Sequence, residues 1–554
     1  MFIRIKTSPN SPKKAVQIVE SVRNGKKVSQ RIIRHVGTAL DENELNRLKE
    51  LAEYIKSKLE VESAPNLFNP EALSKMSIEA RKAKQEKALN VNLKDLREDA
   101  RVVVGIHEVY TEIYKELGFD RVIKSPGRNV AANKNLFNIV MARIANPGSK
   151  RASVMQLERD FGVKLSLEGV YKMMDKLDEN AIEKIQTNSY QAARGILKEK
   201  INVVFYDCTT LYFESFIEDE LKEKGYSKDM KFNQSQVLLG LLSTSDGLPI
   251  GYEVYAGSKY EGHTLDDAIK KIRGKYKVEK IVFVADSGML SNENLIAIEK
   301  KGIEYIVGAR IKNMSDKIKK QITEKRNYKV GKEETDKGEK TAVFNLTEGK
   351  RLIVTYSQIR AEKDKYDREK AIDKLKKKLE KSDNPASLIS NYGYKKYLKI
   401  TGETKIELDE KKLENISVWD GLHGVITNAK QLTPRQVRDY YHQLWQIEES
   451  FRISKHDLSI RPIYHWTANR IKAHIAICYM ALVCVRHLEY RVKTQYEKLS
   501  PEVIRNELIH TQQSILKDIK TGKRYSIPSR LTRHTRKIYQ TVGLKIDSVP
   551  FEIK

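Results

Sequence analysis

Two short apolar runs that each lead into an aspartate constrain the fold of this chain more than any other feature. The first, INVVFYD, ends at Asp207, and the second, EKIVFVADSG, places Asp286 directly after an apolar run of the same kind. Continuous apolar runs of this length are typical of strands that are buried on both faces of a sheet. We therefore predict two central strands, with both aspartates at the strand ends where α/β proteins usually build their sites.

The pattern around these runs predicts the order strand, hairpin of two strands, helix, strand, helix and strand. The hairpin is the segment SQVLLGLLSTSDGLPIGYEVYAGS, which turns around Asp246-Gly247, a common hairpin signal. This order resembles an RNase H-like fold. We therefore predict an α/β RNase H-like core in which helices flank a mixed sheet.

The other parts of the chain differ from this core in composition and in the spacing of their apolar residues. Asn24-Gly25 lies between two β-branched runs, and the segment from Asp41 resembles a helix start with Glu44 three residues on. The segment VMQLERDFGVKLSLEGVYKMMDKL predicts two helices around Gly162, which fits either a DNA-binding helix-turn-helix or a plain helical pair. The predicted regions are an N-terminal β-hairpin plus helix (1–60), a linker (61–100), a helical and DNA-binding region (101–200), the first part of the core (201–311), a β-rich insertion with a charged helix (312–420), the second part of the core (421–490) and a helical, basic C-terminal region (491–554).

The charge of the chain indicates a polyanionic partner. Lys and Arg number 102 against 74 Asp and Glu, which gives a net charge of +28. An excess of this size favours attraction to nucleic acid, although a lysine-biased genome would produce the same excess. The three cysteines form no CxxC pair, which indicates a reducing compartment. The longest apolar stretch, 473–485, is too short to span a bilayer, and no GxxxxGK[ST] loop occurs, so we expect a cytoplasmic protein without a membrane segment or nucleotide cofactor.

A late helix carries a third acidic candidate. Its start, TPRQ, combines an N-cap Thr with Pro at the first helical position and Gln at the third. Further along, YYHQLWQIEESFRISKHDL repeats at seven-residue steps, so that Tyr441, Glu448 and Lys455 share one stripe with Arg452 beside it. Glu449 points about 100° away from Glu448. Such a stripe offers one carboxylate together with donors for phosphate, whereas the simpler interpretation is a solvated helix face with i,i+4 ion pairs.

Taken together, these motifs resemble those of insertion-sequence DDE transposases, in the group whose last acidic residue lies in a tyrosine-arginine-glutamate-lysine helix signature. The matching segments are FYDCTTLYFES, VFVADSGMLS and YHQLWQIEESFRISKHDLSIRPIYHW. The resemblance assigns the catalytic, metal-binding carboxylates to Asp207, Asp286 and Glu448. The signature arginine falls at Leu444, where this chain departs from the pattern, and Arg452 is the arginine expected to compensate.

The resemblance also implies a reaction and its partners. Three carboxylates form a hard oxygen site suited to two Mg²⁺ ions, for which Mn²⁺ can substitute, and such a site supports in-line displacement at a phosphodiester. Tyr441, Arg452 and Lys455 are then expected to bind DNA phosphate. The expected partners are double-stranded DNA, as transposon ends and target, and a second copy of the chain in a homodimer.

Three alternatives differ from this hypothesis in chemistry. The same carboxylates would equally serve a metal-dependent nuclease without strand transfer, and the scaffold would equally serve a non-catalytic DNA-binding protein. A tyrosine recombinase would attack DNA covalently, but it needs arginines and a histidine ahead of its late tyrosine. Here RIKAH follows Tyr440 and Tyr441 instead, which argues against that class.

Overall fold

The protein is described by a computed structural model that forms two compact units, Met1–Leu96 and Arg97–Lys554. The structure describes residues 1–8, 11–24, 27–39, 41–63, 89, 91–198, 201–213, 218–225, 234–259, 264, 267–270, 274, 282–286, 292–330, 339–346, 349–381, 397–401, 405–546 and 549–553.

The first unit is a three-stranded antiparallel sheet with one helix against it. Its elements are β1 (Phe2–Ser8), β2 (Ser11–Asn24), β3 (Lys27–Ala39) and α1 (Glu42–Ser63). Strands β2 and β3 pair until Asn24 lies opposite Lys27, as the hairpin signal predicts, while residues 25 and 26 lie outside the described part of the chain. Asp41 accepts a hydrogen bond from the Glu44 amide at 2.8 Å and so caps α1. The core of this unit contains Val16, Ile18, Ala39, Leu45 and Ala52.

The second unit begins with a strand and a helical region. The elements are β4 (Leu96–Val103), α2 (Gly105–Glu116), α3 (Val130–Ala145), α4 (Lys150–Phe161), α5 (Leu167–Met174) and α6 (Glu179–Leu197). Gly162 ends α4 with a left-handed φ of 66°, and the Ser166 side chain caps α5 by accepting from the Gly169 amide. The two helices that the sequence predicts around Gly162 are therefore present, and their contact with DNA stays a prediction.

The centre of the second unit is a mixed nine-stranded sheet in the order β10-β11-β12-β15-β9-β8-β5-β6-β7. Strands β5, β8 and β9 run parallel, and the remaining neighbours pair antiparallel. The strands up to β15 are β5 (Val203–Tyr212), β6 (Gln236–Thr244), β7 (Pro249–Ala256), β8 (Val282–Ala285), β9 (Glu304–Ala309), β10 (Lys329–Val330), β11 (Lys340–Asn345), β12 (Arg351–Tyr356), β13 (Leu398–Thr401), β14 (Lys405–Leu408) and β15 (Leu422–Thr427).

Most strands of the region predicted as a β-rich insertion extend this central sheet, and their assignment to an insertion stays a prediction. Strand β12 pairs with β15 along its whole length, from Arg351 opposite Thr427 to Tyr356 opposite Leu422. Only β13 and β14 form a ribbon of their own. The run RLIVTY is apolar enough to be buried in either arrangement, so its periodicity alone does not reveal which strand it pairs with.

Helices cover the sheet on both faces. The helices between β8 and the C-terminal region are α7 (Asn292–Lys300), α8 (Asp316–Thr323), α9 (Gln358–Lys381), α10 (Glu410–Ser417), α11 (Pro434–His442), α12 (Trp445–Arg452) and α13 (Ala468–Gln495), of which α7 packs on one face of the sheet and α12 and α13 on the other. Among the described residues, α13 is the helix that is long and apolar enough to cross a membrane, but 94% of its most apolar window is buried inside the protein. Such burial is what the core helix of a folded unit requires.

The C-terminal region is not only helical, as the sequence predicts, but also contains strands. Its elements are α14 (Pro501–Ile509), β16 (Gln512–Asp518), β17 (Arg524–Pro528), α15 (Arg533–Thr541) and β18 (Phe551–Ile553). These strands join β4 in a four-stranded sheet of order β18-β17-β16-β4. Because β4 lies some 400 residues earlier in the chain, the pairing leaves no local signal in the sequence.

Candidate active site

The register of β5 and β8 places the two aspartates in one row of the sheet. Val203 pairs with Val282 and Phe205 with Val284, a constant offset of 79 residues (282 − 203), which is also the offset from Asp207 to Asp286. Neighbouring strands lie about 4.8 Å apart. Continued two residues past the last pair, this register would bring the two aspartates side by side.

Side-chain alternation places both aspartates on the same face. Phe205 and Val284 belong to the core that contains α12 and α13, and Asp207 and Asp286 each follow two residues later. Ile447 of α12 lies in the same core. The face of the sheet that carries both aspartates is therefore the face against which α12 packs.

Asp207 does not end its strand, which corrects the sequence-based expectation. Strand β5 continues to Tyr212 because the residues after Asp207 pair with β6, where Asp207 itself lies opposite Leu241. Its side chain accepts a hydrogen bond from the Cys208 amide at 2.8 Å. Asp286, by contrast, directly follows β8 and is exposed, as predicted.

The helix predicted to run from Thr433 through the acidic pair is broken into pieces. Its start is as predicted, because Thr433 and Gln436 form a reciprocal capping box. Helix α11 then ends at His442, α12 begins at Trp445, and a π-helical turn covers Ile453–Asp457. The break at residues 443–444 keeps right-handed helical dihedral angles, so the chain direction changes little there.

Tyr441 connects α11 to the aspartate row. Its hydroxyl donates a long hydrogen bond of 3.3 Å to Asp286 Oδ1. Burial raises the pKa of Tyr441, and the negative charges of Asp286 and Glu448 raise it further, which places Glu448 within electrostatic range of the same hydroxyl. The His423 ring of β15 lies 5.1 Å from the Tyr441 ring, between centroids, and burial lowers the pKa of His423 to about 4. His423 is therefore neutral near pH 7.

The two adjacent glutamates have different surroundings. Glu448 is exposed, whereas Glu449 accepts two hydrogen bonds from Arg452, at 2.9 and 2.7 Å. This fork lowers the pKa of Glu449, as expected for a carboxylate paired with a guanidinium. Arg452 also lies 3.7 Å from Asp457, so it is held by two carboxylates of its own segment. The predicted contact of its guanidinium with DNA phosphate stays a prediction.

Two other predicted positions can be compared with the structure. Leu444 is only 7% exposed and belongs to the main core, so this position serves packing. Lys455 is half-buried and lies in the π-helical turn that directly follows α12, the helix that carries Glu448. Its contact with phosphate stays a prediction.

The donor types at this site fit a hard divalent ion. Carboxylate oxygens are the ligands that Mg²⁺ prefers, and Asp207 and Asp286 share one row of one sheet face. Within the described part of the chain, however, no three His, Cys, Asp or Glu side chains lie close enough together to hold a metal ion. The chemistry of the donors is therefore suitable, while their arrangement in this structure is not a closed coordination shell.

A buried arginine that the sequence analysis missed holds α12 in place. Arg486 of α13 donates to the Gly247 carbonyl at 3.0 Å, to Gln446 Oε1 at 2.9 Å and to Glu489 at 2.6 Å. It thereby ties α12, two residues before Glu448, to the turn between β6 and β7. The available signal was an arginine at the end of the long apolar run of α13, since a buried arginine needs partners.

Comparison with known proteins identifies related domains. Residues 198–484, more than half of the chain, match the family described as transposase DDE domain, and residues 3–65 match the IS1634 family transposase N-terminal domain. No curated protein is detectably similar to the chain.

Two solved structures show a weaker likeness. The piggyBac transposase synaptic complex with hairpin DNA is 9% identical, with a TM-score of 0.37 over 73% of this chain and 77% of that one. The Mos1 transposase paired-end complex with the left transposon end is 12% identical, with a TM-score of 0.14 over 45% of this chain and 70% of that one. Both TM-scores are too low to carry an argument.

Proposed function

The chain belongs to the insertion-sequence DDE transposases, and from that premise we propose that it cleaves and joins DNA by in-line phosphodiester displacement at Asp207, Asp286 and Glu448. The observation that supports this most directly is the shared row of Asp207 and Asp286 on the face that α12 covers. In this proposal, Glu448 of α12 joins the two aspartates, and its exposed side chain is compatible with that role.

We further propose that the strands β7-β6-β5-β8-β9 are an RNase H-like core. Two antiparallel pairs are followed by two parallel pairs, which agrees with the strand order inferred from the sequence. In such a sheet the site lies where the parallel pairing of neighbouring strands ends. The strands β15, β12, β11 and β10 extend this core on one side.

The residues of the proposed site fall into groups with different roles. Asp207, Asp286 and Glu448 hold Mg²⁺ or Mn²⁺, which when bound activates the attacking oxygen and stabilises the leaving oxygen. Tyr441 restrains the Asp286 carboxylate through its hydroxyl. Lys455 binds DNA phosphate. Arg452 does not bind DNA phosphate in this scheme, because it holds Glu449 and stiffens the turn that follows α12.

The proposed substrates are double-stranded DNA at the transposon ends and at the target, brought together by a homodimer in the cytoplasm. The helical region α2–α6 and the first unit are proposed to recognise the ends. Strand cleavage by water and strand transfer by a DNA 3′-hydroxyl need the same site, because both nucleophiles are oxygens that attack a phosphodiester in line.

A nicking and joining assay on the element's end DNA tests this proposal. We expect Mg²⁺-dependent cleavage by the intact protein that Glu448→Gln reduces by about a thousandfold or more, because a metal-site carboxylate is lost. Glu449→Gln is the matched control and should stay within about tenfold of the intact protein, since it loses only the Arg452 fork.

The products distinguish the remaining alternatives. Joining of the cleaved end to a target plasmid supports a transposase, whereas cleavage without joining supports a nuclease. End binding without cleavage in either Mg²⁺ or Mn²⁺ would support a non-catalytic DNA-binding protein.

A further inference from the structure

The candidate active site is rich in carboxylates and needs cations to accept a DNA phosphate. Within the described segment that carries Glu448, Arg452 is engaged by Glu449 and Asp457, and Leu444 is buried. Besides the predicted contact of Lys455, a second cation that faces the site from another element would offset the repulsion between the carboxylates and a phosphodiester.

Arg360 is placed to supply that charge from the first turn of α9. Strand β12 ends beside β15, with Thr355 opposite His423, and the Ser357 amide then donates to the Gly421 carbonyl at 3.0 Å. Helix α9 begins at the next residue. Arg360 therefore lies in the turn that directly follows the β12–β15 pairing, at the end of β15 where His423 packs against Tyr441.

The electrostatics of the site agree with this position. Burial is the largest cause of the lowered pKa of His423, and the positive charge of Arg360 lowers that pKa further, while the negative charge of Asp286 raises it. Arg360 and Asp286 thus act on the same ring.

The contacts of Arg360 within the protein contribute little to stability. A cation in the first turn of a helix opposes the helix macrodipole and is therefore unfavourable there. Its ion pair with Asp364 is long, at 3.9 Å, and its side chain is 52% exposed, so the pair contributes little. A half-exposed arginine in an unfavourable helix position is well suited to bind an anion from solution.

We propose that Arg360 binds a phosphate of the DNA strand that enters the Asp207–Asp286–Glu448 site. This inference rests on the proposed function and deepens it, because it makes the charged helix α9 part of the substrate-binding surface. The guanidinium can donate two parallel hydrogen bonds to one phosphate, which a lysine cannot reproduce. Arg360 is thus a substrate-binding residue contributed by the region predicted as an insertion.

The chain offers a matched control on the same helix. Lys365 forms an i,i+4 pair with Glu369 at 3.9 Å and is 65% exposed, so Lys365→Ala removes the same charge and the same kind of ion pair as Arg360→Ala. Both proteins are first compared by thermal unfolding. Arg360→Lys keeps the charge and loses the two-pronged geometry.

The experiment measures single-turnover cleavage of end DNA and the salt dependence of its binding. For Arg360→Ala we expect the cleavage rate to fall by about tenfold to a hundredfold. The slope of log affinity against log salt should become shallower by about one, the value for the loss of one phosphate contact. Arg360→Lys should retain the salt slope and recover part of the rate. Lys365→Ala should match the intact protein within about twofold in rate.

The two proposals fail in different ways. Cleavage by the intact protein, with Arg360→Ala indistinguishable from Lys365→Ala in both readouts, would overturn the role of Arg360 and leave the function standing. A reduced salt slope for Arg360→Ala alone, in a protein that does not cleave, would support the phosphate contact and reject the catalytic proposal.

Discussion

Glu448 and Glu449 are adjacent in the chain, yet the structure gives them different partners. Helical spacing predicts that only Glu448 shares a stripe with Tyr441, and with a helix break between these two residues this stays a prediction. The Arg452 fork on Glu449 was not predicted, because a three-residue step on a helix allows a contact without requiring it.

The Tyr441 hydroxyl is the contact at this scale that is most easily tested. We expect Tyr441→Phe to lower the cleavage rate by about tenfold, because the Asp286 carboxylate loses a hydrogen bond that orients it. Cleavage is measured over a range of Mg²⁺ concentrations, since a freed carboxylate should also change the Mg²⁺ dependence. Tyr440→Phe removes the neighbouring hydroxyl and is the control. Equal rates for the two variants would contradict the orienting role.

At the scale of elements, the packing of α12 depends on a turn and on a helix that are distant in the chain. Arg486 joins the β6–β7 turn to α12. The glycine at position 247 leaves space for the Arg486 guanidinium, because a Cβ at that position would collide with Arg486 Nη2 and Gln446 Oε1. The sequence predicted the turn at Asp246-Gly247. It did not predict the arginine, because the partners of a buried cation are set by tertiary packing.

Substitution of Gly247 tests this junction. Gly247→Ala forces a side chain into a left-handed φ of 78° and against Arg486, so we expect a loss of stability of about 3 kcal/mol or more together with lower cleavage activity. Gly522→Ala has a similar φ of 73° with open space around it, and should cost only about 1 kcal/mol. Denaturant unfolding of both variants gives the comparison. Equal losses would mean that backbone strain alone explains the effect.

At the scale of the whole molecule, the net charge of +28 predicts DNA binding that is strongly dependent on salt. A protein that contacts six to ten phosphates loses about 10³ to 10⁵ in affinity between 50 and 200 mM salt. The charge is distributed over both units, so no single region is identified by composition. The contribution of individual lysines has to be measured.

Lys455 is the appropriate lysine for that measurement. Lys455→Ala should weaken end binding and reduce the slope of log affinity against log salt by about one, since one phosphate contact releases about one counterion. Fluorescence anisotropy with end DNA at several salt concentrations provides both values. An unchanged affinity and slope would show that Lys455 does not contact phosphate.

The sequence by itself determined the buried strands β5 and β8, the positions of Asp207 on the first and of Asp286 directly after the second, and the start of α11. These features depend on consecutive residues, because alternation, apolar runs and capping boxes act over a few positions. Only the tertiary structure decided that β12 pairs with β15, that β4 pairs with β16, and that Arg486 joins α12 to the β6–β7 turn. Strand pairing and buried ion contacts join residues that are distant in the chain, and many partners satisfy the same local pattern.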